Sequence, residues 1–380
     1  MNELLNMSVG QTELHPAIRA ALHQPLPTPA YFDEYRRVQA VATTLLGQVM
    51  ETNEPVHILL GLARTGLETG VYHLIAEGDR VLSVDTGHWG RFFGELVAGA
   101  GGRVDHLEAP QGEAVDLEEL EQALRAGDAV SAITVAHCET NTGVVNPIDE
   151  IARLRDALSP ETLLLVDGVS AFGGIPVRFD ELGLDFYCGG SQKCLNAPQG
   201  TPVVCFSARA RSAAERRALP LKTFALENKP SYLLVRGLEA VAKALFEEGL
   251  SSVYRRHECA AAAVRSGLRA MGLEVMARRE EIASPTCTRI VFPPEFAGLV
   301  EEDRRRGGID SDRVTRTMMN ECGVVIGEDR IGTMGHFAQR SYVLAALNAL
   351  EKTMELLGWR TADGSGVGAA EASFAGTEPA

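Results

Sequence analysis

Between about residue 57 and residue 207 the chain alternates short apolar runs, HILL, RVLSV, AVSAITVAH, TLLLVD, DFYCGG and TPVVCFS, with stretches whose apolar residues recur at helical spacing. No other feature narrows the fold as much. Runs that are apolar at nearly every position must be buried on both faces, which happens in a mostly parallel sheet covered by helices on each side. The segment with Leu117, Leu120 and Leu124 and the segment NPIDEIARLRDAL supply such helices. In the second, Asn146 reads as the N-cap and Pro147 as the first helical residue. The expectation is an α/β fold whose ligands gather at the carboxyl ends of the strands.

Beyond residue 207 the pattern changes. A long helical segment places Leu234, Leu238, Val241 and Leu245 on one face, and a smaller α+β unit follows, with TRIVFPP as a strand and a closing helix carrying Val343, Leu347, Leu350, Met354 and Leu357. At 380 residues the chain exceeds one compact domain. The expected division is an N-terminal arm (1–20), a large ligand-binding domain (21–250), a small C-terminal domain (251–360) and a disordered tail (361–380). The tail, TADGSGVGAAEASFAGTEPA, has small residues and little apolar pattern.

Charge excludes some partners. With 36 Lys and Arg against 51 Asp and Glu, a net charge of −15, the chain lacks the cationic surface that nucleic acids and anionic membranes require. Any anion it handles must be met by a few local arginines. The segment MNELLNMSVGQTELHP has no basic region followed by an apolar one, and the longest apolar stretches are short and broken by charges. A cytoplasmic protein with no membrane partner is expected. Its seven cysteines are scattered without a CxxC pair, which reads as reduced thiols with neither disulfides nor a metal.

Four residues fall just after strand-like runs. Asp167 ends TLLLVD, Lys193 lies in GGSQKCL, Trp89 in SVDTGHWGRF and Thr140 in AHCETNTGVVNP. Singly each is ordinary: an Asp after a strand is commonly a cap or turn residue, and a Lys in a glycine-rich loop is usually solvated. Together they supply what pyridoxal chemistry requires: an amine for a Schiff base, an anion beside the pyridine nitrogen, an aromatic plate and a hydroxyl for the phenolate oxygen.

The stretches VDGVSAFGGIP and LDFYCGGSQKCLNAPQGTPVVCFS closely resemble the core of the class V, fold type I, pyridoxal-phosphate aminotransferases. The branch is that of alanine–glyoxylate, serine–pyruvate, 2-aminoethylphosphonate–pyruvate and pyridoxamine–pyruvate transaminases. The resemblance runs from MSVGQTELHPAIRAAL to the closing helix. It implies a seven-stranded, mostly parallel sheet, pyridoxal 5′-phosphate as cofactor, and a homodimer with its active site at the subunit interface. It further implies ping-pong transfer from a small amino donor, of alanine or serine type, to a 2-oxo acid, glyoxylate or pyruvate. Lys193 would be the Schiff-base lysine and proton shuttle, Asp167 the partner of the pyridine nitrogen, Trp89 the stacking ring, and Thr140 a donor near the phenolic oxygen. Gln192 matches the residue whose amide reaches the phosphate. Arg330, in the RIG motif, matches the arginine that grips the substrate carboxylate, and Gly10 falls in the substrate pocket.

The chain departs from that pattern at the phosphate turn. In LLGLARTGLETGVYHLI, Leu62, Ala63 and Arg64 replace the usual hydroxyl-bearing turn, so Arg64 is expected to supply a charged phosphate contact, Ala63 a backbone one and Thr65 a hydroxyl. One relative in the branch, pyridoxamine–pyruvate transaminase, takes a non-phosphorylated vitamin. GLEVMARREEIASPTCT and RIGTMGH resemble that enzyme, but Gln192 is retained, Leu62 stands where it has a glutamate, and the loop before Arg330 lacks its second arginine. HCETNTGVVNPIDEI and SAFGGIP resemble the aminoethylphosphonate enzymes, for which Arg64, Arg91 and Arg236 are the cationic candidates. A lyase or desulfurase outcome would need a mobile cysteine, and Cys287 and Cys322 are the C-terminal candidates.

Overall fold

The structure, a computed structural model, describes residues 4–24, 33–215, 230–293, 313–359 and 364–376. Seven strands form the central sheet, in the order β2 (Val56–Ile58), β10 (Val203–Phe206), β9 (Phe186–Gly189), β8 (Leu163–Gly168), β5 (Ala132–Ala136), β3 (Arg80–Asp85) and β4 (Arg103–Glu108). From β9 to β4 neighbouring strands run parallel, and β10 alone opposes its neighbours. The expected mostly parallel sheet is present. Its one strand with no apolar run in the sequence is β4, an edge strand whose residues are mostly exposed and only Leu107 fully buried.

Alternate residues of each strand feed two cores. Leu164, Val166, Ile133 and Tyr187 face a cluster completed by α2 (Asp33–Met50), α5 (Leu117–Arg125), α6 (Ile148–Leu158) and α8 (Tyr232–Glu248). Leu163, Leu165, Phe186 and Val204 face the other side, against α3 (Ala63–Leu74), α4 (His88–Gly99) and α7 (Ala208–Glu215). Each such side chain contributes roughly 2 kcal/mol of burial, so neither face of the sheet can be stripped without losing the fold. The helix α1 (Pro16–Leu22) packs on α8.

The cap of α6 differs from expectation. Pro147, not Asn146, is its N-cap residue. The Asn146 side chain is instead buried, donating to the Ala136 carbonyl at 2.8 Å and to Thr86 Oγ1 at 2.9 Å while accepting from the Val115 N–H at 3.2 Å. Those three bonds tie β5 to the chain on both sides, and leave the side chain no reach toward the helix end.

We divide the molecule at Gly249, whose φ of 86° separates α8 from α9 (Leu250–Ala270). The smaller unit has its own core, in which Val264, Leu268, Ile290, Ile331, Leu347 and Phe374 meet. Its sheet is β11 (Glu274–Val275), β12 (Cys287–Val291) and β14 (Arg330–Gly332), all antiparallel. A separate strand, β13 (Val324–Ile326), pairs in parallel with β1 (Leu5–Met7), so the N-terminal arm belongs structurally to this unit. Helices α10 (Arg313–Cys322) and α11 (Arg340–Leu356) cover it.

The tail expected to be disordered contains a helix, α12 (Ser365–Ala375), packed against α9. Ala370 and Phe374 are buried there, and Glu351 Oε1 accepts the Gly366 N–H at 2.7 Å. Small residues hid it: a Cβ on Gly267 would stand 2.8 Å from the Gly366 carbonyl oxygen, so close approach rather than an apolar stripe holds this helix. Residues 361–363 and 377–380 lie outside the described residues. No helix among the described residues is long and apolar enough to cross a membrane.

Candidate active site

β3, β5, β8 and β9 all end at the same edge of the sheet, and a cavity of about 490 Å³ opens there. Asp167, the penultimate residue of β8, points into it from a backbone held between Ala136 and Cys188. The carboxylate is 5% exposed and accepts one hydrogen bond, from the Val169 N–H at 2.9 Å. Burial pushes its pKa up to about 7, with the nearby Glu139 charge adding to the rise.

Lys193 lies in the turn after β9, also buried and lining the cavity. Burial lowers its pKa, and the positive charge of Arg330 acts in the same direction. Its Nζ donates to the carbonyl oxygen of Val9. That contact is part of a clamp, because Thr12 Oγ1 donates to the Gln192 carbonyl at 2.9 Å and accepts from Asn196 Nδ2 at 2.9 Å. The N-terminal segment thus fixes both ends of the lysine turn.

Trp89 stands in the first turn of α4 and forms part of the cavity wall. Its position is set by Glu139 in the short hairpin of β6 (Cys138–Glu139) and β7 (Val144–Val145), whose Oε2 accepts the N–H groups of Trp89 at 2.7 Å and Gly90 at 3.1 Å. A carboxylate at a helix N-terminus satisfies donors that have no partner within the helix. The same side chain accepts the Asn141 N–H at 2.8 Å through Oε1. Glu139 is fully buried, and burial raises its pKa.

At the opposite end, the N-terminus of α3 faces the cavity. Its N-cap residue, Leu62, makes no side-chain hydrogen bond, and Leu62, Ala63 and Arg64 line the wall. Arg64 is exposed but lines the cavity. Its guanidinium lies over the rings of Trp89 at 5.6 Å and Phe92 at 5.3 Å, a cation–π arrangement.

The cavity therefore gathers Lys193, Asp167, Trp89, Gln192, Arg64, Ala63 and Gly10. Three expected residues stand outside its lining. Thr140 is buried in the turn between β6 and β7. The Thr65 side chain packs under Gly61, where a Cβ would come within 2.8 Å of it. Arg330, on β14, is one-fifth exposed and acts on Lys193 through its charge. Arg91 is committed to Asp85 at 2.7 Å and Glu108 at 3.2 Å, and Arg236 on α8 lies over the Tyr232 ring and bonds Gln24, so neither offers a free cation to this cavity. Cys287 is buried in β12 and Cys322 ends α10, so neither is placed on a loop. Sequence reasoning missed Glu139, the Val9 carbonyl and Cys138, which lines the cavity. Only Glu139 left a signal, as a carboxylate directly following an apolar run.

Pyridoxal phosphate fits these residues. A buried carboxylate with a single hydrogen bond and a pKa near 7 makes no ion pair among the described residues, a protonated pyridine nitrogen would supply one, and a buried amine shares its cavity. The sheet order, with a lysine and an aspartate converging at its carboxyl edge, defines a pyridoxal-phosphate enzyme of fold type I.

Comparison with known proteins places the chain more closely. Residues 65–223 match the family model described as aminotransferase class-V. The chain is 34% identical over 337 residues to the pyridoxamine–pyruvate transaminase of Mesorhizobium japonicum, covering 84% of this chain and 83% of that one. It is 31% identical over 361 residues to a serine–glyoxylate aminotransferase of Arabidopsis thaliana, covering 89% and 88%. Among solved structures, a pyridoxamine–pyruvate aminotransferase from Mesorhizobium loti superposes with a TM-score of 0.88 at 29% identity, over 100% of this chain and 98% of that one. The chain belongs to the class V aminotransferases, and it is a pyridoxal-phosphate-dependent enzyme.

Proposed function

We propose that the protein moves an amino group from a small donor of the alanine or serine type to glyoxylate or pyruvate by a ping-pong mechanism, with Lys193 and Asp167 as catalytic residues. The observation that carries this reading is the buried amine and buried carboxylate in one cavity at the carboxyl edge of the sheet. When bound, pyridoxal phosphate supplies an aldehyde that condenses with amines and a protonated ring that accepts the electrons of a broken Cα–H bond. Asp167 holds the proton on the ring nitrogen. Lys193, whose pKa burial lowers, would take the proton from the substrate Cα and return it one position away. Trp89 would cover one face of the ring, and Gln192, Arg64 and the Ala63 N–H at the start of α3 would hold the phosphate. Arg330 orients the substrate carboxylate, and Gly10, with nothing within 4 Å of its missing Cβ, leaves the entrance open.

We further infer a cytoplasmic homodimer that closes over this entrance. Leu60 and Leu62 are 54% and 49% exposed beside it, a costly arrangement for large apolar side chains that a second subunit would relieve.

Replacing Lys193 with Ala should abolish turnover and the visible absorbance of the lysine-bound cofactor; a variant that still turned over normally would refute the assignment. A second reading, free pyridoxamine as the donor, is favoured by the uncapped Leu62 at the phosphate end of the cavity. Incubation with pyruvate or glyoxylate and a donor panel of alanine, serine, pyridoxamine and 2-aminoethylphosphonate separates the readings by which donor is consumed.

A further inference from the structure

Two guanidinium groups face one another across the small sheet: Arg289 on β12 and Arg330 on β14 are register partners. Like charges on directly opposed positions repel, and both side chains are only one-fifth exposed. A single carboxylate, Asp329, lies against both, but unequally. Its Oδ2 takes Arg289 Nε at 2.9 Å, while its Oδ1 lies 3.4 Å from Arg330 Nε. Arg289 is held from its other side too, with Nη1 donating to the Asn141 carbonyl at 2.7 Å. Asn141 is in turn fixed by Glu139, the carboxylate that positions Trp89.

Arg330 is held more loosely. Its Nε reaches the Gly327 carbonyl at 3.3 Å, and its Nη2 meets only the exposed Glu328, at 3.8 Å. Among the described residues its Nη1 has no hydrogen-bond or ion-pair partner. The close anion serves Arg289, and Arg330 is left with a longer contact to Asp329 and a distant, exposed Glu328, so the weakly compensated positive charge sits on the arginine with the open edge.

We propose that Arg289 is a positioning residue for substrate recognition: it draws Asp329 to itself and so leaves Arg330 open for a substrate carboxylate. This rests on the reading of Arg330 as the carboxylate grip. Without Arg289, Asp329 would pair with Arg330, and an incoming carboxylate would have to displace it. The effect falls on binding of every carboxylate substrate and not on the proton transfers at Lys193.

The test is steady-state kinetics of the cofactor-loaded enzyme with amino donor and oxo acid varied in turn. Arg289→Gln should raise KM for both substrates about tenfold while changing kcat less than about threefold, and adding Asp329→Asn to it should restore KM. Asp329→Asn alone keeps Arg289 on the Asn141 carbonyl and should lower KM, which gives a second readout if Arg289→Gln folds poorly. Unchanged KM in Arg289→Gln, no restoration in the double variant, or an unchanged or raised KM in Asp329→Asn would each overturn the proposal. Arg330→Gln separates the two readings. If it leaves KM unchanged, the carboxylate grip itself is wrong; if it raises KM while Arg289→Gln does not, only the role of Arg289 falls.

Discussion

With a carboxyl pKa near 7 set by burial, Asp167 is half protonated at neutral pH in the cofactor-free protein. An ordinary aspartate in the unfolded chain titrates near 4, so between about pH 4 and about pH 7 the folded protein binds the extra proton, and stability falls as pH rises through that window. Above it the deficit stays constant. Asp167→Asn removes the deficit, so the cofactor-free variant should be more stable than the parent at pH 8, by at most roughly 4 kcal/mol, with the difference gone at about pH 4. Urea denaturation across that range would show it, and equal stabilities at pH 8 would mean that the carboxyl is not desolvated. The same substitution should cost about 100-fold or more in kcat, because a neutral amide cannot hold the ring proton. That Lys193, Asp167 and Trp89 share one cavity was legible because they follow successive apolar runs in an order that matches one chemistry; Gln192 came with the family resemblance, and Thr140, read from the same pattern, stands outside the lining. The orientation of Arg64 was not legible, since it depends on where the rings of Trp89 and Phe92 come to rest.

Helix α4 shows what one contact does for a whole element. Two of its first N–H groups end on Glu139, 50 and 49 positions away in sequence, and nothing in the helix's own residues announces that cap. Glu139→Ala would leave those donors unpaired in a buried place, at a cost of about 1–3 kcal/mol. Trp89 would lose its fixed position with them. A lower melting temperature together with a weakened near-ultraviolet signal from Trp89 is the expected outcome; a fall in stability with that signal intact would separate the cap from the aromatic wall. Edge strand β4 was not picked out, and the cap of α6 was misjudged, for a related reason. Local patterning reports whether a segment is buried, but β4 is mostly exposed, and the Asn146 side chain is satisfied by three groups distant in sequence.

At the scale of the whole molecule, α12 adds a second layer over α9 that small residues concealed in the sequence. Phe374 is 8% exposed in that contact, and Phe374→Ala should cost about 3 kcal/mol, read as a lowered unfolding midpoint; an unchanged midpoint would mean that α12 is not docked in solution. The alternation of strands and helices was legible because each run is buried on both faces, whereas the small unit was read only in outline, its strands being short and paired with distant segments. One of those pairings has a temporal consequence. Leu5 lies against Val324, and Val9 reaches Lys193 across 184 positions, so the lysine is clamped by residues that leave the ribosome long before it and are themselves anchored to a strand that emerges long after it. Contacts that distant form late in folding. The amine should therefore reach its final position only after synthesis of the small unit, and nascent chains stalled before Val324 should bind the cofactor weakly even though every strand of the large sheet has already been made.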